Sequence, residues 1–331
     1  MKILAGDIGG TKVILAIYEK RDERLHLLEQ AQFASGEYAD FADLVAAFWE
    51  KRGSHEIDAA VFGIAGPVIG GVCHTTNLPW VIETEALREQ LGTQRVKLLN
   101  DLEATAYGML FLKEDQFVSL NPEAQPAKAN RAVIAAGTGL GEAILYCDDK
   151  GAFHPMGTEG GHTDFAPVTP QQDRLLHWLR SHYPAHVSVE RVLSGPGIYT
   201  IYRFLAESGF APEPSFMTVL PEGADPSAMV SEGAMVHRDK LCIETLRLFT
   251  EIYGQEAGNL VLKSLALGGL YVGGGIAPKI LEFMKEESFM KAFVHKGRFE
   301  KLLRQVDVKV SLEPETALMG AARYAADKFD Y

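Results

Sequence analysis

The side chains best suited to chemistry sit in three short stretches: Asn100-Asp101, Gly157-Thr158-Glu159-Gly160-Gly161-His162 and Ser188-Val189-Glu190-Arg191. Asn100-Asp101 lies between the apolar run Val96–Leu99 and the helical pattern Leu102–Leu112. Such a pair can cap the helix. It can equally place a carboxylate at the carboxyl end of a strand, where α/β sheets do their chemistry and where it could take a proton from a hydroxyl. Glycines around Glu159 and His162 make a poor strand and a poor helix, so that stretch reads as a loop, either plain surface or shaped around a small polar ligand. No cysteine pair accompanies His162, which argues against a zinc site. Glu190 follows Ser188, which reads as the cap of a short helix whose N-terminus favours an acid. Asn100, Asp101, Glu159, His162 and Glu190 together supply carboxylates and an amide. A sugar needs such groups, because each hydroxyl donates and accepts, and a charged hydrogen bond contributes about 1.5–3 kcal/mol.

Two glycine turns accompany these groups. Aligned without a gap at an offset of 130, Gly6-Asp7-Ile8-Gly9-Gly10-Thr11-Lys12-Val13-Ile14-Leu15 falls on Ala136-Gly137-Thr138-Gly139-Leu140-Gly141-Glu142-Ala143-Ile144-Leu145. Each copy reads strand, turn, strand, so the pair points to a duplicated architecture. Each turn is a plain hairpin or an anion nest of backbone N–H groups that glycine lets a phosphate approach. Gly137, Gly139 and Gly141 lack the spacing and the following helix of a dinucleotide fingerprint. Neither turn has the Lys-Ser/Thr ending of a Walker loop. Gly273-Gly274-Gly275 follows the strand Leu270–Val272 and precedes a helix opened by Pro278. That junction is a tight turn, and it also lets a flat adenine ring lie against bare backbone.

The elements that must hold these groups alternate between strand and helix. Ile3–Gly6, Val13–Tyr18 and Leu25–Phe33 read as strands. Asp40 caps a helix with Phe41, Leu44, Val45 and Phe48 on one face. Ile57–Ala65 is a strand covered on both sides. Thr84–Leu91 is a helix ended by Gly92. Residues 119–131 are polar and proline-containing, as at a domain crossing. Ala132–Ala136 and Val308–Leu312 are further strands. Thr169-Pro170-Gln171-Gln172 is a capping box opening Gln171–Tyr183. Residues 211–227 read as an exposed loop, and Leu246, Phe249, Tyr253, Ala257 and Leu260 share one face of a long helix. Pro314 opens a last helix rich in alanine and glycine, suited to close packing. A chain of 331 residues suggests about two domains.

Composition limits the function. Lys and Arg number 32 against 44 Asp and Glu, a net charge of −12, which argues against a general nucleic-acid face. Hydrophobic residues at 47% exclude a disordered chain. Cys73, Cys147 and Cys242 are odd in number and far apart, so neither a disulfide framework nor a cysteine-rich metal site is indicated, and a reducing compartment follows. The opening apolar run is too short for a signal peptide. Leu260–Ala277 holds Lys263 and five glycines and reads as a helix end and a strand, not a membrane span. The expectation is a soluble cytoplasmic protein.

Read in order, Gly6–Thr11, Leu99–Asp101, Ala136–Gly141, Glu159–His162, Glu190–Gly197 and Gly273–Pro278 resemble the ATP-dependent bacterial glucokinase family of the actin/hexokinase/Hsp70 superfamily. The resemblance runs from Met1 to the last helix. It implies an α/β fold of two ribonuclease-H-like domains around a central cleft: a small domain, 1–112 plus 313–331, and a large one, 113–312. It implies transfer of the γ-phosphoryl of MgATP to O6 of glucose, the first step of glycolysis, with Asp101 as general base. Asn77, Asn100, Glu159, His162 and Glu190 would bind glucose hydroxyls. Gly6, Asp7, Ile8, Gly9, Gly10 and Thr11, with Gly137, Thr138 and Gly139, would hold phosphates. Gly273, Gly274 and Gly275 would hold the adenosine, and Asp7 would face Mg²⁺ through water. The family is commonly homodimeric.

Two departures stand out. Leu102-Glu103 follows Asn100-Asp101 where relatives often have an aromatic residue and threonine, which can alter packing behind the base. Asp164-Phe165-Ala166-Pro167 replaces the cysteine-rich zinc motif of the related repressor/kinase family, which places the chain in the zinc-free group. The rivals are a kinase for mannose, fructose or an amino sugar, a sugar-sensing transcription regulator, and an ATP-hydrolysing chaperone or filament protein. The regulator would need a DNA-binding segment, for which the turn at Gly6 leaves no room before it. The sugar constellation argues against the chaperone or filament reading.

Overall fold

A computed structural model of the chain describes residues 1–22, 24–50, 56–75 and 78–329. They form two compact units: Met1–Glu114 with Ala152–Gly157 and Glu313–Tyr331, and Asp115–Gly151 with Thr158–Leu312.

The sheet of the first unit is built from β1 (Lys2–Ile8), β2 (Lys12–Arg21), β3 (Arg24–Ala34), β4 (Ala59–Ile64) and β5 (Val96–Asn100), in the order β3-β2-β1-β4-β5. β1 and β2 form an antiparallel hairpin closed by Ile8 opposite Val13, while β1, β4 and β5 run parallel. Alternation along the strands sends side chains to two faces. Leu4, Ile8, Leu15 and Phe62 pack with Phe41, Leu44, Val45 and Phe48 of helix α1 (Phe41–Glu50). Ile3, Ala5, Ile14, Ala16 and Val61 pack with Ala104, Leu318, Ala321, Ala322 and Ala325. With both faces covered, β4 is buried along its whole length, as its unbroken apolar run requires. Asp40 Oδ1 accepts the Asp43 N–H at 2.8 Å and so caps α1. Helix α2 (Thr84–Leu91) ends at Gly92, whose φ of 67° is left-handed. The last helix, Thr316–Lys328, lies so close to helix α3 (Asp101–Met109) that a side chain at Gly320 would overlap the Ala104 carbonyl oxygen. It opens at Thr316 rather than at Pro314.

The second unit repeats the plan. β6 (Phe117–Ser119), β7 (Arg131–Ala136), β8 (Leu140–Cys147), β9 (Leu270–Gly273) and β10 (Val308–Ser311) are five of the six strands of one sheet and lie in the order β8-β7-β9-β10-β6. β7 and β8 form the hairpin, and β7, β9 and β10 run parallel. The hairpin closes at Ala136 opposite Leu140. Ile8, not Gly6, therefore takes the place of Ala136, and Val13, not Gly10, that of Leu140, so the ungapped offset does not mark equivalent residues.

Helices α4 (Pro170–His182), α5 (Gly195–Glu207), α6 (Pro226–Met235), α7 (Lys240–Ser264) and α8 (Glu287–Val294) complete this unit. Thr169 caps α4 through the Gln172 N–H, but Gln172 returns to Val168 rather than to Thr169, so the box is not closed. The stretch 211–227 contains the short helix Ser215–Thr218 and the start of α6. The stretch 119–131 is no crossing, for β6 already belongs to the second unit's sheet. Asn121 there bridges the Val306 carbonyl at 2.6 Å and the Val308 N–H at 2.8 Å, so its polar group pairs with backbone instead of solvating a linker. Among the described residues no helix is long and apolar enough to cross a membrane.

Candidate active site

Parallel pairing in the first unit sets Ile8 beside Ile64 and Ile64 beside Asn100, so the carboxyl ends of β1, β4 and β5 lie level. Asp7 and Asp101 share that edge. Gly63 sits between their strands, and a Cβ on it would stand 3.8 Å from both the Gly6 carbonyl oxygen and Asp101 Cα. Asn100 and Asp101 stay in place because the strand passes straight into a capped helix. The Leu102 N–H donates to Asn100 Oδ1 at 2.9 Å, and the Asn100 N–H donates to Glu103 Oε2 at 2.9 Å. Glu103 Oε1 also accepts the Gly157 N–H at 3.2 Å. Asn100 Nδ2 donates to the Gly66 carbonyl at 3.0 Å, which uses one of its two amide hydrogens. The helix-cap reading of Asn100 is therefore realised, and Asp101 is the first residue of α3.

The turn between β1 and β2 is closed by Gly9 N–H to Lys12 carbonyl at 2.9 Å. The buried Ser35 anchors it, donating its hydroxyl to the Gly9 carbonyl at 2.9 Å and its N–H to the Thr11 carbonyl at 3.1 Å. Beside the turn, burial pushes the Asp7 carboxyl up; Lys12 opposes this and Glu315 adds to it. A divalent cation at that carboxylate would favour its ionised form. An oxygen donor of this kind fits Mg²⁺ held through water.

In the second unit four separate stretches meet around the end of β7. The Gly137 N–H donates to the Gly139 carbonyl at 2.9 Å, and the Gly195 N–H donates to the Gly137 carbonyl at 2.7 Å. Gly195 opens α5, whose Ser194 cap accepts the Gly197 N–H at 3.1 Å. The positive end of a 13-residue helix thus faces the turn, which favours an anion there. Glu190 Oε2 accepts the Leu140 N–H at 2.9 Å, and a Cβ on Gly139 would stand 2.5 Å from that same oxygen. Gly161 rests against the Leu140 carbonyl, where any side chain would overlap it. The loop turns back through the His162 N–H to the Glu159 carbonyl at 3.0 Å. Gly274, at φ 80°, leaves no room for a side chain beside the Ala136 carbonyl, so Gly273, Gly274 and Gly275 border the same turn.

His162 and Glu190 line one cavity of about 370 Å³ with His182, Tyr183, His186 and Arg191. Its size is at the lower end for small-ligand sites. The Arg191 guanidinium lies 4.3 Å over the Tyr183 ring, and His186 Nε2 stands 3.0 Å from Asp164 Oδ1. A cavity of about 270 Å³ near Glu83, Arg88 and Lys97 contains none of the motif residues.

Asn77 lies outside the described residues. Ser188 stands at the N-cap of the turn Val189–Arg191 and its carbonyl accepts the Arg191 N–H at 3.1 Å, but its buried side chain makes no capping hydrogen bond; Ser194 Oγ donates to the Glu190 carbonyl at 2.8 Å. Sequence reasoning missed Ser35 and the roles of Ser194 and Glu103, the last of which was read only as a departure behind the base. Only Glu103 carried a signal, since an acid three residues after an asparagine marks a capping box.

Comparison with known proteins identifies the family. The family model described as Glucokinase matches residues 4–328. The chain is 39% identical to the glucokinase of Nostoc punctiforme over 98% of each chain. The solved glucokinase of an Antarctic psychrotroph superposes with a TM-score of 0.85 at 29% identity, covering 98% of this chain and 99% of that one. A Balamuthia mandrillaris glucokinase, solved in complex with glucose, shares the fold at a TM-score of 0.81 and 21% identity, covering 98% and 93%. Matched along almost its whole length, the chain belongs to the glucokinase family and is an ATP-dependent kinase that phosphorylates glucose.

Proposed function

We propose that the chain transfers the γ-phosphoryl group of MgATP to O6 of D-glucose, with Asp101 as the general base. The observation that carries this reading is the position of Asp101 at the level carboxyl ends of three parallel strands, on the same edge as Asp7. There its carboxylate takes the O6 proton as the oxygen attacks. Phosphoryl transfer depends mainly on positioning and charge stabilisation, and the remaining groups serve that purpose. Asn100, Glu159, His162 and Glu190, with Asn77, orient the sugar hydroxyls. The turns at Gly9–Thr11 and Gly137–Gly139 hold phosphate oxygens, and Gly273–Gly275 holds the adenosine. Mg²⁺, when bound facing Asp7, supplies positive charge against the phosphates.

Each unit is of the ribonuclease-H type, the first acting as the small domain and the second as the large one. The enzyme works in the cytoplasm as a homodimer at the start of glycolysis. The test is the initial rate of ADP production from MgATP with and without glucose, with NMR assignment of the phosphorylated position. A glucose-dependent rate yielding the 6-phosphate supports the reading. Phosphate on another hydroxyl, or near-normal turnover by Asp101→Asn, sinks the assignment of the base.

A further inference from the structure

Strand β8 carries one acid along its buried face. Glu142 is 2% exposed, and its Oε1 meets no hydrogen-bond partner among the described residues. Native proteins rarely leave a buried polar atom in that state without a reason. On one side of this carboxyl lies Gly160, where a Cβ would stand 2.7 Å from Glu142 Cδ, so the loop backbone rests directly on the carboxyl group. The contact is reinforced from the backbone. Thr158 Oγ1 donates to the Glu142 carbonyl at 3.0 Å and accepts the Gly160 N–H at 3.1 Å. The residues flanking the glycine pair of this loop are Glu159 and His162.

We propose that Glu142 is a positioning residue: its carboxyl is the seat of the Gly160 loop, and its charge state sets how that loop presents Glu159 and His162 to the sugar. The inference rests on the reading of Glu159 and His162 as glucose ligands. Three ionisable groups of α7 act on this site. Glu256 repels a charge at Glu142, Lys263 favours one, and Tyr253 is buried nearby. Lys263 Nζ is itself paired with Glu256 Oε1 at 3.2 Å. Burial first, and Glu256 second, push the Glu142 carboxyl up to about 8. At neutral pH the loop thus rests on a neutral carboxyl group. Ionisation puts a buried charge beneath Gly160 that Lys263, itself paired with Glu256, offsets in part, and moving the loop or admitting water relieves the rest.

The test is glucose affinity of the intact enzyme, by calorimetry and as KM, between about pH 7 and about pH 9. With the carboxyl at about 8, the neutral fraction falls from about nine-tenths to about one-tenth over that range, so affinity should fall about tenfold. Glu142→Gln, which keeps the shape of the neutral acid, should hold one KM throughout. Glu142→Leu should raise the KM at both pH values. A wild-type affinity that stays constant across the range overturns the inference, and that measurement needs no variant. So does a Glu142→Gln enzyme that keeps the wild-type pH dependence. Glu159→Gln separates the two readings. An unchanged glucose KM in that variant would mean that the loop does not bind sugar, whereas a raised KM with no effect of Glu142→Gln on the pH profile refutes the role of Glu142 alone.

Discussion

The two glycine hairpins occupy corresponding places in two sheets of the same plan, yet they are held differently. The first spans four residues between Ile8 and Val13 and is fixed by Ser35, which follows directly on β3, the strand next to β2 in the same sheet. The second spans three residues between Ala136 and Leu140. It is held by Glu190, by Gly195 at the start of α5, and by packing against Gly274. One turn is a local structure and the other is an assembly of distant segments. A phosphate nest needs only backbone geometry, and a neighbouring strand can supply that. The second turn also aligns a carboxylate and a loop assigned to the sugar, so its shape and sugar binding depend on one another.

That contrast can be tested by substitution. The largest effect should come from the first unit's chemistry. Asp101→Asn should lower kcat by about 10²- to 10⁴-fold while calorimetry shows glucose affinity little changed. The next concerns stability. Because the Glu142 carboxyl is raised, the native state holds its proton more tightly than the unfolded chain does. Stability should therefore fall as pH rises from about 4.5 to about 8, by on the order of a few kcal/mol. Asp7 and Glu251 are raised too and act in the same direction. Urea denaturation at the two ends of that range should show a shallower fall for Glu142→Gln, and equal slopes would remove Glu142 from the account.

The third prediction sets the two turns against each other. Gly139→Ala drives a methyl group into the Glu190 carboxylate and should raise the KM for glucose about tenfold, the loss of about one charged hydrogen bond. At Gly9 the nearest atom to a new Cβ is the Lys12 carbonyl oxygen at 3.0 Å, so Gly9→Ala should affect the KM for ATP and spare that for glucose. Equal effects on both substrates from both variants would erase the distinction. The smallest effect is a helix cap. Glu103→Ala removes the acceptor for the Asn100 N–H and should cost about 0.5–2 kcal/mol in a denaturant titration. A neutral result would show that the Asn100 side chain alone holds the start of α3.

Much of the scaffold was legible from residue patterns. The apolar runs of β1 and β2, the capping Asp40 and the terminating Gly92 act within a few residues, and local sequence contains all they need. The alanine- and glycine-rich last helix announced close packing, and Gly320 against Ala104 provides it. Readings failed where a polar residue had a distant partner. Asn121 looked like part of a linker because its partners, Val306 and Val308, lie far along the chain.

Residue types and their spacing alone dictate which groups are present: Asp101 at a strand end, the acids and imidazole of the loops, and glycines where backbone must come close. Those choices follow from bond geometry and side-chain chemistry, which are properties of a few adjacent residues. What each group touches is settled by the packing of the folded chain. It set the two hairpins in different registers, gave Glu190 to the Leu140 N–H, and laid Gly160 on a buried Glu142. Partner choice and burial arise from the packing of segments that are not adjacent in the chain, such as Leu140 with Glu190 and Gly160 with Glu142, and no local pattern encodes them.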